Sequence, residues 1–267
     1  MMKIEKYNGV QSILGKVSYQ DFTMSVYQYL VDGMLIDTSA YRLLDELIPF
    51  YEESDIDFVS LTHNHEDHTG TAAWLQQEKQ LPIYIHPQSI EACAQKATYP
   101  EYRQTLWGVR PPFQARPYGD SIESRQYTWD IIHTPGHQEN HVCLLNKQTG
   151  ALFSGDLFIT PKTKIIMKDE SIPTIIASIR KVLSYDFQEM YCSHSGYHLD
   201  GRSMFTKKLH YLEELSGNVH ERYAKGMTME EINQELFPKV PSLTHYSNHE
   251  WDSIHIIRSI IEDSGKT

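Results

Sequence analysis

Between positions 63 and 68 the chain reads His63-Asn64-His65-Glu66-Asp67-His68, so three imidazoles and two carboxylates crowd into six residues. Neutral imidazole nitrogens and carboxylate oxygens are the donors that zinc prefers and that iron and manganese accept. In a helix, His63 and His65 would point about 200° apart, because each residue turns about 100°. A loop can wrap such close neighbours round one point. Three further segments carry donors in turns: Thr134-Pro135-Gly136-His137, Ser154-Gly155-Asp156 and Ser193-His194-Ser195-Gly196. Each alone is an ordinary turn. Together they offer His63, His65, Asp67, His68, His137, Asp156 and His194, a donor set able to hold two metal ions once water completes the coordination.

The elements that must position these donors can be read from the flanking patterns. Each donor segment follows a short apolar run: Phe58-Val59-Ser60-Leu61, then 129–133, 151–153 and 190–192. Such runs read as buried strands, and α/β folds place their sites at strand carboxyl ends. Residues 25–30 and 34–36 read as paired strands joined by an Asp32-Gly33 turn. Asp37-Thr38-Ser39 offers helix-capping side chains ahead of an amphipathic stretch at 43–51. Further strands are expected at 82–85 and 141–145, and helices at 69–77, 90–97 and 175–183. Residues 99–119, rich in proline, glycine and aromatics, read as a long loop or insertion. From Arg202 onward the texture is all-helical, with Leu209, Leu212, Leu215 and Val219 at helical spacing, then helices at 229–236 and 251–261.

With the HxHxDH loop, the later His, the Asp and the last His in that order, the chain resembles the metallo-β-lactamase-fold superfamily over roughly residues 10–200. The resemblance implies an α/β, four-layer αββα sandwich, here over residues 1–201, with a C-terminal helical appendage over 202–267. It implies that His63, His65 and His137 hold a first metal, that Asp67, His68 and His194 hold a second, and that Asp156 bridges them. Asp37 matches the family's early Asp, which supports the metal loop by hydrogen bonds. True β-lactamases typically carry Cys where Asp156 stands, so the chain is similar to the glyoxalase II and lactonase branches. Leu157, Phe158 and Ile159 follow Asp156, without the Tyr that quorum-quenching lactonases carry, which argues against homoserine lactones.

The implied activity is hydrolysis of a small ester, thioester or lactone by a hydroxide bridging two divalent ions, zinc first, manganese or iron as alternatives. Asp67 would orient the nucleophile and serve as the catalytic acid. The runner-up is a mononuclear iron oxygenase of the persulfide dioxygenase type, which leaves the second site empty; the intact second donor set favours hydrolysis. A non-catalytic binding protein should have lost donors, and none is lost.

The chain's 267 residues carry 24 basic and 35 acidic side chains, a formal net charge of −11, and show no Lys/Arg cluster. That balance points away from nucleic acid and towards a small-molecule substrate, which the positive metal site would favour in anionic form. No run of 18 apolar residues suggests a membrane span, and residues 1–10 lack the pattern of a secretory signal, so a cytoplasmic location is expected. Cys93, Cys143 and Cys192 are scattered and read as buried thiols. Lys162 and Lys164 read as a solvated face near the mouth, with substrate binding as the alternative. Tyr99, Tyr102, Trp107 and Phe113 read equally as a lid or as packing. His198 is a rival last donor. His245 and His249 have helical spacing, although Tyr246-Ser247-Asn248 reads as a cap or loop. His86 and His133 are expected to be structural.

Overall fold

In the computed structural model, which describes residues 2–264, the strands alternate their side chains between two apolar environments, and this alternation builds the layers. The first sheet runs in chain order: β1 (Lys3–Tyr7), β2 (Val10–Tyr19), β3 (Phe22–Val31), β4 (Met34–Ile36), β5 (Phe58–Ser60), β6 (Ile83–Ile85) and β7 (Arg116–Pro117). β1 to β4 pair antiparallel and β4 to β7 pair parallel. The second half supplies β8 (Ser121–Glu123), β9 (Thr128–His133), β10 (Val142–Asn146), β11 (Ala151–Gly155), β12 (Ile166–Met167), β13 (Glu189–Cys192) and β14 (Gly196–His198). Without β12, these form a sheet of order β14-β13-β11-β10-β9-β8.

Tyr29, Val31, Met34, Ile36 and Phe58 from the first sheet pack against Trp129, Val142, Leu144, Phe153 and Tyr191 from the second. The intervening residues face outward. Leu30, Leu35, Val59 and Ile83 pack under helices α1 (Leu44–Glu53), α3 (Ala72–Glu78) and α5 (Glu101–Trp107); α2 (Glu66–Thr69) and α4 (Ile90–Ala94) complete this half. Cys143, Leu145, Leu152 and Met190 pack under α6 (Ile172–Leu183) and α7 (Gly201–Ala224). The result is a helix–sheet–sheet–helix sandwich, the mixed α/β architecture expected. The chain then continues through α8 (Met229–Leu236), α9 (Ser242–Tyr246), β15 (Trp251–Asp252) and α10 (Ile254–Ser264). Leu212, Val219, Ile232, Ile256 and Ile260 belong to the same core as the second sheet's outer face, so the C-terminal helices are packed into the body. No helix among the described residues is long and apolar enough to cross a membrane.

Several expectations need correction. Asp37-Thr38-Ser39 caps no helix: α1 starts after Leu43 with no capping side chain, and Asp37 turns towards the donor loop. The helix expected at 69–77 is two helices, α2 and α3, the first of which begins inside the donor loop. They are separated where Gly70 presses against the 39–41 backbone, so closely that a β-carbon would lie 2.2 Å from the Tyr41 nitrogen. The 90–97 helix stops at Ala94. Residues 99–119 are not an unstructured loop, because Pro100 starts α5, which buries Leu106 and Trp107. The tail is not all-helical: β15 pairs antiparallel with β12. β1 and much of β2 were not legible, because β1 is exposed or half-buried throughout and carries no apolar alternation.

Candidate metal centre

Five strands end at one place. β4 delivers Asp37, β5 leads into the 63–68 loop, β9 into His137, β11 into Asp156 and β13 into His194. Two glycines make the approach possible. Gly155 has φ +48°, and a β-carbon there would lie 2.5 Å from His141 Nε2 and 3.0 Å from the Thr62 side chain. Gly136, at φ +131°, fits against the α6 backbone at Ile175, where a β-carbon would come within 2.7 Å. Neither position tolerates a side chain without moving a donor segment.

The seven expected donors are brought together. His63 Nε2 lies 3.0 Å from His65 Nδ1, which lies 3.0 Å from His137 Nε2. Asp156 sits between this trio and the remaining donors. Its Oδ2 is 3.4 Å from His137 Nε2 and 3.1 Å from His194 Nε2, and its Oδ1 is 3.4 Å from His68 Nε2. Asp67 Oδ2 lies 3.4 Å from His194 Nε2 and 3.8 Å from His68 Nε2. In three groups, one ligand atom from each residue lies within 4.8 Å of the others: His63–His65–His137, His63–His68–Asp156 and Asp67–His68–His194.

Each ring turns its outer nitrogen towards a polar neighbour, and the inner nitrogens face one another and the Asp67 and Asp156 carboxylates. His63 Nδ1 meets Thr62 Oγ1 at 3.0 Å, and that hydroxyl donates to Asp37. His68 Nδ1 meets Asp37 Oδ2 at 2.8 Å, and His194 Nδ1 meets the Ser25 carbonyl at 2.8 Å. His137 Nδ1 lies 3.2 Å from Glu170 Oε2, and the Gln138 side-chain amide lies 2.5 Å from His65 Nε2. The acceptor oxygens facing His63, His68 and His194 take up a ring N–H on the outer side and aim the opposite nitrogen inward. His68 Nε2 and Asp156 Oδ1 are buried without a hydrogen-bond partner among the described residues. Buried polar atoms are almost always satisfied, so inward-facing, unpartnered nitrogens and oxygens at these spacings fit cations.

The electrostatics agree. Burial, reinforced by neighbouring imidazoles, holds His63 and His65 well below the ordinary histidine range, so both are neutral with free lone pairs, the form that ligates metal. At His194, burial opposes the proton, but Asp156 and Asp67 outweigh it and lift the pKa to about 9. His68 is raised well above its ordinary value, because Asp156, Asp37 and Asp67 outweigh its burial. Burial likewise works against the Asp156 charge, and His194 and His68 overcome it, holding the carboxyl well below its usual range. This half of the site therefore demands positive charge, which protons or metal ions can supply.

Asp37 supports the floor as the resemblance implied. It accepts from Thr62 N at 2.8 Å, from His68 Nδ1 at 2.8 Å and from Ser193 Oγ at 3.2 Å, tying the 62–68 loop to the segment that carries His194. Sequence reasoning missed two supports. His141 Nε2 accepts from the Asp156 N–H at 3.0 Å while Nδ1 meets Thr134 Oγ1 at 2.8 Å; burial keeps it neutral, with a pKa of about 3. Glu170 was hidden because nothing local distinguishes it from a surface glutamate. The rival histidines lie apart from the cluster: His198 bonds Ser195 at 2.9 Å, His249 bonds Asp252 at 2.6 Å and stands 6.3 Å ring to ring from His245, and His86 stacks on His133. All three cysteines are buried free thiols.

Above the donors lies a cavity of about 450 Å³. Tyr102 and Trp107 line it, whereas Tyr99 braces its own loop through Gly108 and Phe113 is core. Lys162 and Lys164 are exposed residues at its edge, and the tail contributes Leu243 and Trp251. Arg103 joins these parts: it pairs with Glu66 in the donor loop and, at 3.1 Å, with Glu250 beside β15.

A family profile described as the metallo-beta-lactamase superfamily matches residues 24–200. Among curated relatives, an atrochrysone carboxyl ACP thioesterase from Claviceps purpurea (strain 20.1) is 26% identical over 235 residues, 84% of this chain and 69% of that protein. A hydroxyacylglutathione hydrolase from Hydrogenovibrio crunogenus (strain DSM 25203 / XCL-2) is 27% identical over 43% of this chain and 37% of its own length. A probable metallo-hydrolase from Bacillus subtilis (strain 168) is 28% identical over 49% of this chain and 55% of its own. Apart from the Claviceps protein, the chain thus spans little more than a third to a half of these relatives. A beta-lactamase domain protein from Burkholderia ambifaria shares the fold with a TM-score of 0.70 and 16% identity, covering 98% of this chain and 88% of that one. The curated relatives named here are a thioesterase, a hydroxyacylglutathione hydrolase and a probable metallo-hydrolase; the profile covers most of the chain and contains every donor segment, so the chain belongs to the metallo-beta-lactamase superfamily.

Proposed function

We propose that the protein hydrolyses a small ester, thioester or lactone with two divalent metal ions, zinc in the first instance. The single observation that carries this reading is the position of the Asp156 carboxylate, with one oxygen 3.4 Å from His68 Nε2 and the other 3.4 Å from His137 Nε2, between two donor sets. His63, His65 and His137 would hold one ion, Asp67, His68 and His194 the other, and Asp156 both. Bound there, the pair would supply a water of lowered pKa and polarise the scissile carbonyl.

The chain's own groups do the rest. Asp67 holds a proton of the attacking water at its carboxylate and later passes it to the leaving group. Asp37, His141 and Glu170 keep the donors aimed. The apolar cavity wall excludes water and receives the acyl part, and Lys162 and Lys164 favour a substrate with negative charge. The names of the thioesterase and hydroxyacylglutathione hydrolase relatives support thioesters first.

Metal analysis of the purified chain, followed by a panel of thioesters, esters, lactones and phosphodiesters, tests the proposal. Two zinc or manganese ions per chain with thioester turnover is the expected result. One iron per chain with oxygen-dependent persulfide oxidation would replace it with the mononuclear oxygenase reading, and a metal-free, inactive chain would replace it with a binding role.

A further inference from the structure

Lys208, on α7, lines the cavity although it is only 4% exposed. Its ammonium donates to the Phe158 carbonyl, two residues beyond Asp156. Among the described residues no carboxylate lies within ion-pair distance of it, while Arg103, a half-buried cation of this cavity, is already matched by Glu66 and Glu250. An ammonium has three N–H donors, and one carbonyl uses one of them. A buried charge without a counter-charge is costly to retain, and most surface lysines escape that cost by reaching water. The ring of Phe158, with the Lys208 nitrogen 5.8 Å from its centroid, supplies only part of what water would. Burial outweighs the more distant Glu170 and Asp156 carboxylates and lowers the pKa to about 8.

We propose that Lys208 is a specificity-determining residue whose ammonium receives a carboxylate carried on the acyl part of the substrate, inside the cavity and next to the Asp156 turn. This rests on the hydrolase reading and deepens it. The acidic group is placed on the buried acyl portion, in contrast to the leaving group that would pass the exposed Lys162 and Lys164 at the edge. The substrate class is therefore an acyl ester or thioester of a dicarboxylic acid.

The test compares a glutaryl thioester of N-acetylcysteamine with its methyl ester, which has the same chain and no charge. The metal-loaded enzyme and the variants Lys208→Met and Lys208→Gln are assayed for kcat/KM on both. Met conserves volume, and Gln keeps an N–H for the Phe158 carbonyl without a charge. The wild-type enzyme should prefer the acid over the ester by about tenfold or more, the worth of one charge-assisted hydrogen bond. Both variants should lose that preference through KM. The proposal is overturned if Lys208→Met keeps the preference, or if Gln restores it, because the lysine would then only brace the Phe158 carbonyl. The same pair as non-hydrolysable ketone analogues, measured by calorimetry, separates the two readings. No turnover, with a binding preference lost in both variants, retires the hydrolase and keeps the anion site. Turnover with equal affinity for both analogues in the wild type retires the anion site alone.

Discussion

The floor and the wall of the cavity are built on opposite principles. The floor is polar, buried and over-tied: His63, His68 and Asp156 are almost wholly inaccessible, and Asp37 alone fastens the 62–68 segment and Ser193. The wall is largely apolar and assembled from distant pieces: Trp107 from α5, Ile166 from β12, Leu243 from α9 and Trp251 from β15. A floor of that kind fixes chemistry, because its donors cannot drift; a wall of this kind fixes what is admitted. The lesson is that reaction type and substrate choice can vary separately here.

Breaking the floor should have the largest effect. Asp156→Ala removes the carboxylate between the two donor sets, and turnover should fall by more than about a hundredfold, beyond the 10–100-fold typical of a supporting residue. Metal analysis should find fewer than two ions per chain; full occupancy with full activity would dissolve the distinction. His63→Ala belongs to the same class. Next comes Asp37→Asn, which leaves every donor in place and weakens the ties to His68 and Thr62. Metal affinity should drop about 10–100-fold, measured by competition with a chelator. An unchanged affinity would mean that the turns hold the floor without it.

The wall should respond differently. Trp251→Ala should change the ranking among acyl chain lengths by about tenfold in kcat/KM while metal content stays at the wild-type value. Loss of metal in that variant would show that floor and wall do not separate. The smallest effect is expected far from both. Thr228 accepts from the Glu231 N–H while Glu231 reaches back to the Thr228 N–H, a reciprocal cap on α8. Thr228→Ala should cost about 1 kcal/mol and lower Tm by about 2–4 °C, with kinetics unchanged. Altered kinetics would show that α8 communicates with the cavity.

The same contrast explains what could be read from the sequence. The donors were legible because histidine and aspartate are chemically specific and lie at strand ends, and the apolar runs that precede them are short and clear. Strands β9, β10, β11 and β13 could be bounded to within a residue or two for that reason. Asp37 was visible only through resemblance; its neighbours Thr38 and Ser39 read as a cap because a polar triplet before an apolar stretch looks the same whether it serves a helix or a buried loop. Glu170 and His141 are assigned by what folds beside them, which no local pattern encodes. The wall was least legible. Aromatic residues at 99–107 look alike whether they pack or line a pocket, and the two-residue strands β12 and β15 are too short to show any periodicity.

One joint connects the two regions. Arg103 holds an acid from the donor loop with one edge of its guanidinium and an acid from the tail with another. A change that repositions the tail therefore tugs on the residue lodged between His65 and Asp67. Any lineage that reshapes the entrance to admit a new molecule must keep this shared arginine balanced, or retune the reaction centre as it does so.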